Sequence, residues 1–223
     1  MAVRKSAKKS PGTKSGAKKP DKNESGAAVL DRIIDAGLDE AAAVGWRDLA
    51  MNAVAERAGL TLGDVLLQVP GKIHLMLCFL GRLDARILGP VKALDPADTP
   101  RDRLFEILMR RFDALNEKRE AAKAVVAGVA RDPAAMLAGV CRVERSAAAM
   151  LAAAGISTGG LMGLLRIKGL KVVMVCALRA WMSDDSADLS KTMAALDQAL
   201  ARAEKLANFT LRKRPQEDPT PAV

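Results

Sequence analysis

Two chain-breaking residues, Gly59 and Pro70, leave room between them for one short helix, and that constraint governs the stretch from Gly45 to Leu75, GWRDLAMNAVAERAGLTLGDVLLQVPGKIHL. Upstream, the spacing predicts a helix over 49–58 in which Leu49, Val54 and Ala58 face inward, with Gly59 supplying the backbone freedom of the stop. Thr61 is placed to cap a second helix over 62–68. Pro70 cannot donate to a continuing helix and pushes Val69 toward an extended conformation, so the second helix ends there and a third begins at the proline. Two short helices joined by a glycine turn are a helix-turn-helix, a unit that places its second helix in a DNA major groove.

The flanking residues sharpen this reading. The preceding segment VLDRIIDAGLDEAAAVGW, then AVAERAGLT, then PGK followed by an apolar helix, resemble the TetR family of bacterial repressors over roughly 27–88, best at Gly45-Trp46, Ala55-Glu56-Arg57-Ala58-Gly59, Gly63 and Lys72. The resemblance implies an all-α, TetR-like fold, with an N-terminal helix-turn-helix head on a helical ligand-binding and dimerisation body. It also implies a DNA-binding transcriptional regulator controlled by an apolar ligand, with DNA contacts from Arg47, Thr61, Leu62, Gly63, Gln68 and Lys72. Where the family's short helix usually carries a tyrosine, a histidine and a phenylalanine, this chain has Leu66, Gln68 and Val69. Leu49 and Ala50 stand where polar residues usually open the preceding helix.

Phosphate neutralisation supplies most non-specific DNA affinity and needs lysine or arginine on the docking face. Between residues 45 and 72, Arg47, Arg57 and Lys72 are balanced by Asp48, Glu56 and Asp64. An aspartate at position 64, near the start of a groove-reading helix, is repelled by phosphate unless its side chain turns away or accepts from a cytosine.

The chain's net charge of +9 sits mostly elsewhere. Residues 1–26 hold eight Lys or Arg against Asp21 and Glu24, in a segment rich in Lys, Ser, Gly and Pro. That composition predicts a disordered basic tail over 1–26, without the apolar run of a secretory signal, and suited to electrostatic contact with nucleic acid or an anionic surface. The remaining boundaries are a head over 27–90, a ligand-binding and dimerisation domain over 101–211 and a disordered C-terminal tail over 212–223. At 223 residues and 50% apolar composition the chain has ample material for a buried core.

Catalytic constellations are missing from the pattern. His74 is the only histidine, so sites needing two are excluded. No Ser/His/Asp set and no phosphate-binding glycine loop occurs, so an enzyme, a cofactor and a metal are not expected. Cys78, Cys141 and Cys176 lie far apart in apolar stretches and read as buried thiols of a reducing cytoplasm.

Beyond Gly89-Pro90, the segment VKALDPADTP reads as a linker, and Thr99-Pro100 opens a helix with Leu104, Ile107, Leu108, Phe112 and Leu115 on one stripe. The face with Arg101, Arg103, Arg110 and Arg111 is expected to be solvated. Further helices are predicted over 119–129, 133–154, 161–182 and 187–209, the last capped by Ser186. Ser146 to Leu165 is uncharged for 20 residues, the length of a membrane span. Gly155, Ser157, Thr158, Gly159 and Gly160 break it as a loop, whose unsatisfied backbone excludes lipid, so no transmembrane segment is expected.

Within the body, Met136, Met150, Met162 and Met174 are candidates to line a pocket for an apolar small molecule or lipid, because methionine adapts to irregular guests. Leu189, Met193, Leu196 and Leu200 are candidates for a homodimer interface built from the last two helices. A second resemblance covers about 148–203: AAMLAAAGIST, RIKGLKVV and WMSDDSADLSKTMAALDQAL are similar to the lipid-binding accessory protein of ubiquinone biosynthesis. It implies a competing reading, a TetR-fold protein that binds lipid and assists ubiquinone biosynthesis without binding DNA.

Overall fold

The computed structural model describes residues 25–89, 95 and 97–212. The basic tail ahead of Ser25, residues 90–94 and 96 of the linker region and the C-terminal tail beyond Arg212 lie outside the described residues. Among those described, nine helices and no strands follow one another: α1 Gly26–Asp48, α2 Met51–Ala58, α3 Leu62–Gln68, α4 Lys72–Leu88, α5 Pro100–Asn116, α6 Arg119–Val129, α7 Pro133–Ala153, α8 Gly160–Met182 and α9 Ser190–Arg212. The fold is all-α, as the apolar periodicity requires. Among the described residues no single helix is long and apolar enough to cross a membrane. The uncharged stretch from Ser146 is divided at Gly155, whose φ of 79° suits only glycine there.

Side-chain caps fix four of the helix starts. Ser25 accepts from the Ala28 amide, Thr61 from Asp64, Thr99 from Asp102 and Asp132 from Ala135. Each satisfies an amide that the helix itself leaves unpaired. Near its end α1 kinks at Gly45 (φ 81°), which turns Trp46 inward and aims the chain at α2.

Two apolar clusters organise the packing. The head core joins Ile33, Ile34 and Leu38 of α1 to Val54 of α2, Val65 of α3 and Leu75 of α4. Ala121 and Val125 of α6 and Ala135 of α7 are buried in the same cluster. The body core gathers Ile107, Leu108 and Phe112 of α5 with Met150 of α7, Leu170 and Trp181 of α8 and Leu196 of α9. α4 belongs to both, through Leu75 and Met76 at its start and Leu83 and Ile87 near its end. Head and body therefore share α4 and α6 rather than meeting at a linker.

Several expectations need correction. α2 begins at Met51 and α4 at Lys72, two residues later than the spacing suggested in each case, although Leu49 is still buried. α9 begins at Ser190 rather than 187, because the chain first turns through Leu189 at φ 55°. That turn is held from a distance: buried Asp184 accepts from both the amide and the hydroxyl of Thr192, while the Ser186 hydroxyl accepts from the Ser190 amide. Arg111 is not on a solvated face but buried, paired with Asp84 of α4. Cys78 is only half-buried and Cys141 and Cys176 are exposed, since they lie on the outward sides of α7 and α8.

The body's candidate residues differ in burial. Met150 and Met174 pack in the body core, Met162 is half-buried, and Met136 is exposed on α7. None of them lines the small cavity that the described residues enclose at the head–body junction among Ile34, Gly37, Trp46, Leu75 and Val125. At about 10 Å³ that cavity has room for roughly one water, not a ligand. Leu189, Leu196 and Leu200 face the protomer's own core, leaving Met193 as the exposed member of the dimer set. A helix stripe cannot reveal whether its cover comes from its own chain or from a second one.

Candidate nucleic-acid interface

The Gly59 turn sets the angle between the two short helices. Its φ of 64° lets its amide and that of Leu60 close back on the carbonyls of Glu56 and Ala55, ending α2 tightly. Leu60 is buried behind the turn, and Val65 anchors α3 on the head core with no exposed surface. α3 thus presents its opposite side outward: Leu62, Gly63, Leu66 and Leu67 are exposed and Gln68 half-buried. This is the geometry a groove-reading helix requires.

The polar groups of the head are largely engaged within it. The Thr61 hydroxyl accepts from the Asp64 amide at 3.2 Å and donates to the Asp64 carboxylate at 2.6 Å. That reciprocal cap turns Asp64 back along its own helix toward Thr61. Arg57 donates to Glu40 of α1 at 2.6 Å, joining α2 to the helix behind it. Lys72 donates to the carbonyls of Trp46 and Arg47 at 3.4 and 3.3 Å, with its ammonium 5.5 Å from the Trp46 ring centre. It closes the end of α1 against the start of α4, a cation facing the carbonyls that a helix C-terminus leaves open. Arg47, in contrast, is exposed beside it.

Trp46 is the hub of a further linkage that sequence reading missed. Its indole N–H donates to Asp132 at 3.3 Å, where α7 begins, and its side chain lies over Gly128 of α6. A Cβ on Gly128 would fall 2.1 Å from the Trp46 Cβ, so only glycine admits this approach. The amide of Ala135 chiefly, with the Trp46 N–H, holds the Asp132 carboxyl below the usual carboxylate range. On the same α1–α6 seam Lys118 donates to Asp39 at 2.8 Å. The entrance to the helix-turn-helix is therefore fastened to the body's α6–α7 corner. Glycine at 128 and tryptophan at 46 were visible in the sequence, but nothing local connects residues so far apart.

Of the six candidate contacts, the structure brings Thr61, Leu62, Gly63 and Gln68 together on α3 and its cap, with Arg47 and Lys72 at the adjoining helix ends. Leu67, the most exposed leucine of α3 at 85%, was not among them. Its position one turn from Gly63 is the signal that could have found it.

This arrangement defines an all-α helix-turn-helix protein whose short, outward-facing α3 joins a two-core helical body. The chain has the fold of TetR transcriptional regulators. A regulator of that kind from Nitrosomonas europaea superposes with a TM-score of 0.66 at 21% identity, covering 79% of this chain and 98% of the other. One from Rhodococcus sp. RHA1 gives 0.56 at 21% identity over 79% and 97% of the two chains, and one from Streptomyces coelicolor 0.54 at 16% over 88% and 94%. At these identities the likeness is one of fold. In sequence, the chain is 43% identical over 56 residues to the HTH-type transcriptional repressor KstR of Mycolicibacterium smegmatis, a match spanning 25% of this chain and 28% of the repressor. No protein-family model matches the chain.

Proposed function

We propose that this protein is a cytoplasmic DNA-binding transcriptional regulator that acts as a homodimer and responds to an apolar ligand. The observation that carries the reading is α3 itself, a short helix anchored by Val65 and exposed along its far side at the turn of a helix-turn-helix. The shared fold and the 43% identity to a transcriptional repressor support it.

In this reading Arg47, Thr61, Leu62, Gly63, Gln68 and Lys72 form the DNA face, with unequal roles. Gln68 is placed to hydrogen-bond a base edge, and Arg47 to meet phosphate. Thr61 and Lys72 act through position, one by capping α3 and the other by fixing α4 against α1. The dimer forms on the outer side of α8 and α9, where Val172, Val175, Met193 and Leu206 are exposed. Two heads separated by one helical turn of DNA, about 34 to 36 Å, then meet successive half-sites. The ligand enters the body core beside Met150 and Met174, whose unbranched side chains re-pack at low cost. Because α4 and α6 belong to both cores, displacing the body core moves the heads. The competing lipid-carrier reading gains little from the DDSADLSKT segment, since Asp184, Ser186 and Thr192 serve there to start α9.

The test is a selection of duplexes from a random pool with the full chain at physiological salt. A recovered consensus of two half-sites is expected, with Gln68→Ala relaxing preference at one base position by roughly 1 to 3 kcal/mol. Recovery of no consensus would remove the DNA-reading function and leave the lipid-binding alternative as the better account.

A further inference from the structure

The side of α3 that faces outward is chemically unusual for a surface that reads sequence. Of the seven residues of α3, Val65 is buried, Asp64 is folded back onto Thr61, Gly63 has no side chain and Gln68 is half-buried. The other three are leucines, Leu62 at 42%, Leu66 at 38% and Leu67 at 85% exposed. Leu62 lies one turn from Leu66, and Gly63 one turn from Leu67, so the leucines form a broad exposed band with Leu67 opposite Val65 and Leu62 at its flank. At Gly63 the surface is open, the Thr61 hydroxyl 3.8 Å from a built Cβ being the nearest neighbour. A partner can thus approach the backbone between the leucines.

Resting on the proposed function, the geometry points to recognition of thymine 5-methyl groups by this leucine strip, with Gln68 adding one hydrogen-bonded base. The thymine methyl is the apolar group among the signals base pairs present in the major groove. Packing it against leucine removes both from water, an effect near four-fold in affinity for a group of that size. A G·C pair in the same place sets the cytosine amino group or guanine O6 against hydrocarbon, dehydrated and without a partner. The charge balance points the same way. With Arg47, Arg57 and Lys72 offset by Asp48, Glu56 and Asp64, the head adds little phosphate attraction, whereas apolar contact is insensitive to charge and salt.

The experiment takes the duplex selected with the full chain and replaces each thymine singly by uracil, which removes the methyl and preserves pairing. About three clustered positions per half-site should each lose about four-fold in affinity. In Leu66→Ala and Leu67→Ala the loss at the corresponding position should vanish, while circular dichroism shows both folded and the Tm of Leu67→Ala, whose side chain is 85% exposed, stays that of wild type. Gln68→Ala should leave the thymine-to-uracil ratios unchanged. If the duplex remains preferred over random sequence and uracil is without effect everywhere, the methyl inference is overturned and the DNA-reading function stands. If no duplex is preferred, both fall. Binding of the full chain to phosphatidylglycerol vesicles that Leu67→Ser abolishes, with uracil again without effect, assigns the strip to a lipid surface and overturns the proposal as well.

Discussion

Asp184 concentrates at one residue what starts the last helix. Its side chain is fully buried, and one oxygen accepts from the Thr192 amide and hydroxyl at 2.8 and 2.7 Å, while the other accepts from the amide and hydroxyl of Ser186. Arg119, stacked 5.2 Å from the Trp181 ring centre, donates to the carbonyl of Asp184. Burial alone would raise the Asp184 carboxyl, but the donors from Ser186 and Thr192 outweigh it and hold the group well below the usual carboxylate range. The folded-state value then lies below the unfolded one, near 3.9. The stabilisation is accordingly present above about pH 4 and lost as pH falls toward the folded value. Asp184→Asn keeps the volume but removes the charged acceptor, and should cost about 2 kcal/mol near neutrality. Urea melts at pH 7 and pH 3 check this: the gap from wild type should narrow at pH 3, and an equal gap at both would show that the charge is not what matters.

Among the elements, α4 contributes to both cores, and its C-terminal part is pinned by charge. Asp84 accepts from the Ser146 hydroxyl of α7 at 2.6 Å and pairs with Arg111 of α5 at 2.5 Å and Arg142 of α7 at 2.6 Å. Breaking a buried pair by removing one member leaves the other charged and unpaired, at a cost of about 3 to 5 kcal/mol, whereas replacing both by apolar groups is often near neutral. Asp84→Ala should therefore destabilise by that amount in denaturant melts, and Asp84→Leu combined with Arg111→Met should recover much of it. An Asp84→Ala loss under about 1 kcal/mol would show that the network does not hold α4. This network also marks where the sequence stopped being legible. α3 and α6 were readable to the residue, because Thr61, Gly59 and Pro70 bound the one and the break after Val129 the other. Arg111 read as a solvated residue because its partners lie on two other helices. Cys141 and Cys176 read as buried because apolar neighbours along a helix do not say which side is covered. α9 read as starting three residues early because its start is held by Asp184, six residues away. At the candidate interface the turn and its cap were legible from residue types, whereas the engagement of Lys72 and Arg57 with α1 depended on tertiary neighbours.

For the molecule as a whole, the outward apolar residues of α8 and α9 and the basic N-terminal segment lead to two separable expectations. Val172 and Val175 are at least half exposed, while Leu200 is 5% exposed in the protomer's own core. Val172→Asp should therefore yield a folded monomer by size exclusion with light scattering, and Leu200→Asp a poorly folded chain. A dimer unaffected by Val172→Asp would place the interface elsewhere. The basic segment acts differently. On the proposed function its lysines are expected to meet phosphate without reading bases, each neutralised phosphate releasing counterions. Deleting residues 1–24 should weaken binding to all duplexes alike and flatten the dependence of log affinity on log salt by about 0.9 for each phosphate no longer neutralised. The head should retain its preference for the selected duplex, since α3 is held by Val65, Thr61 and the Gly59 turn, all outside the deleted segment. Affinity measured at several salt concentrations, on selected and random duplexes, separates the two contributions. An unchanged salt slope would show that the basic segment does not touch DNA. A selected-to-random ratio that falls to one on deletion would place the sequence reading in the tail rather than in α3.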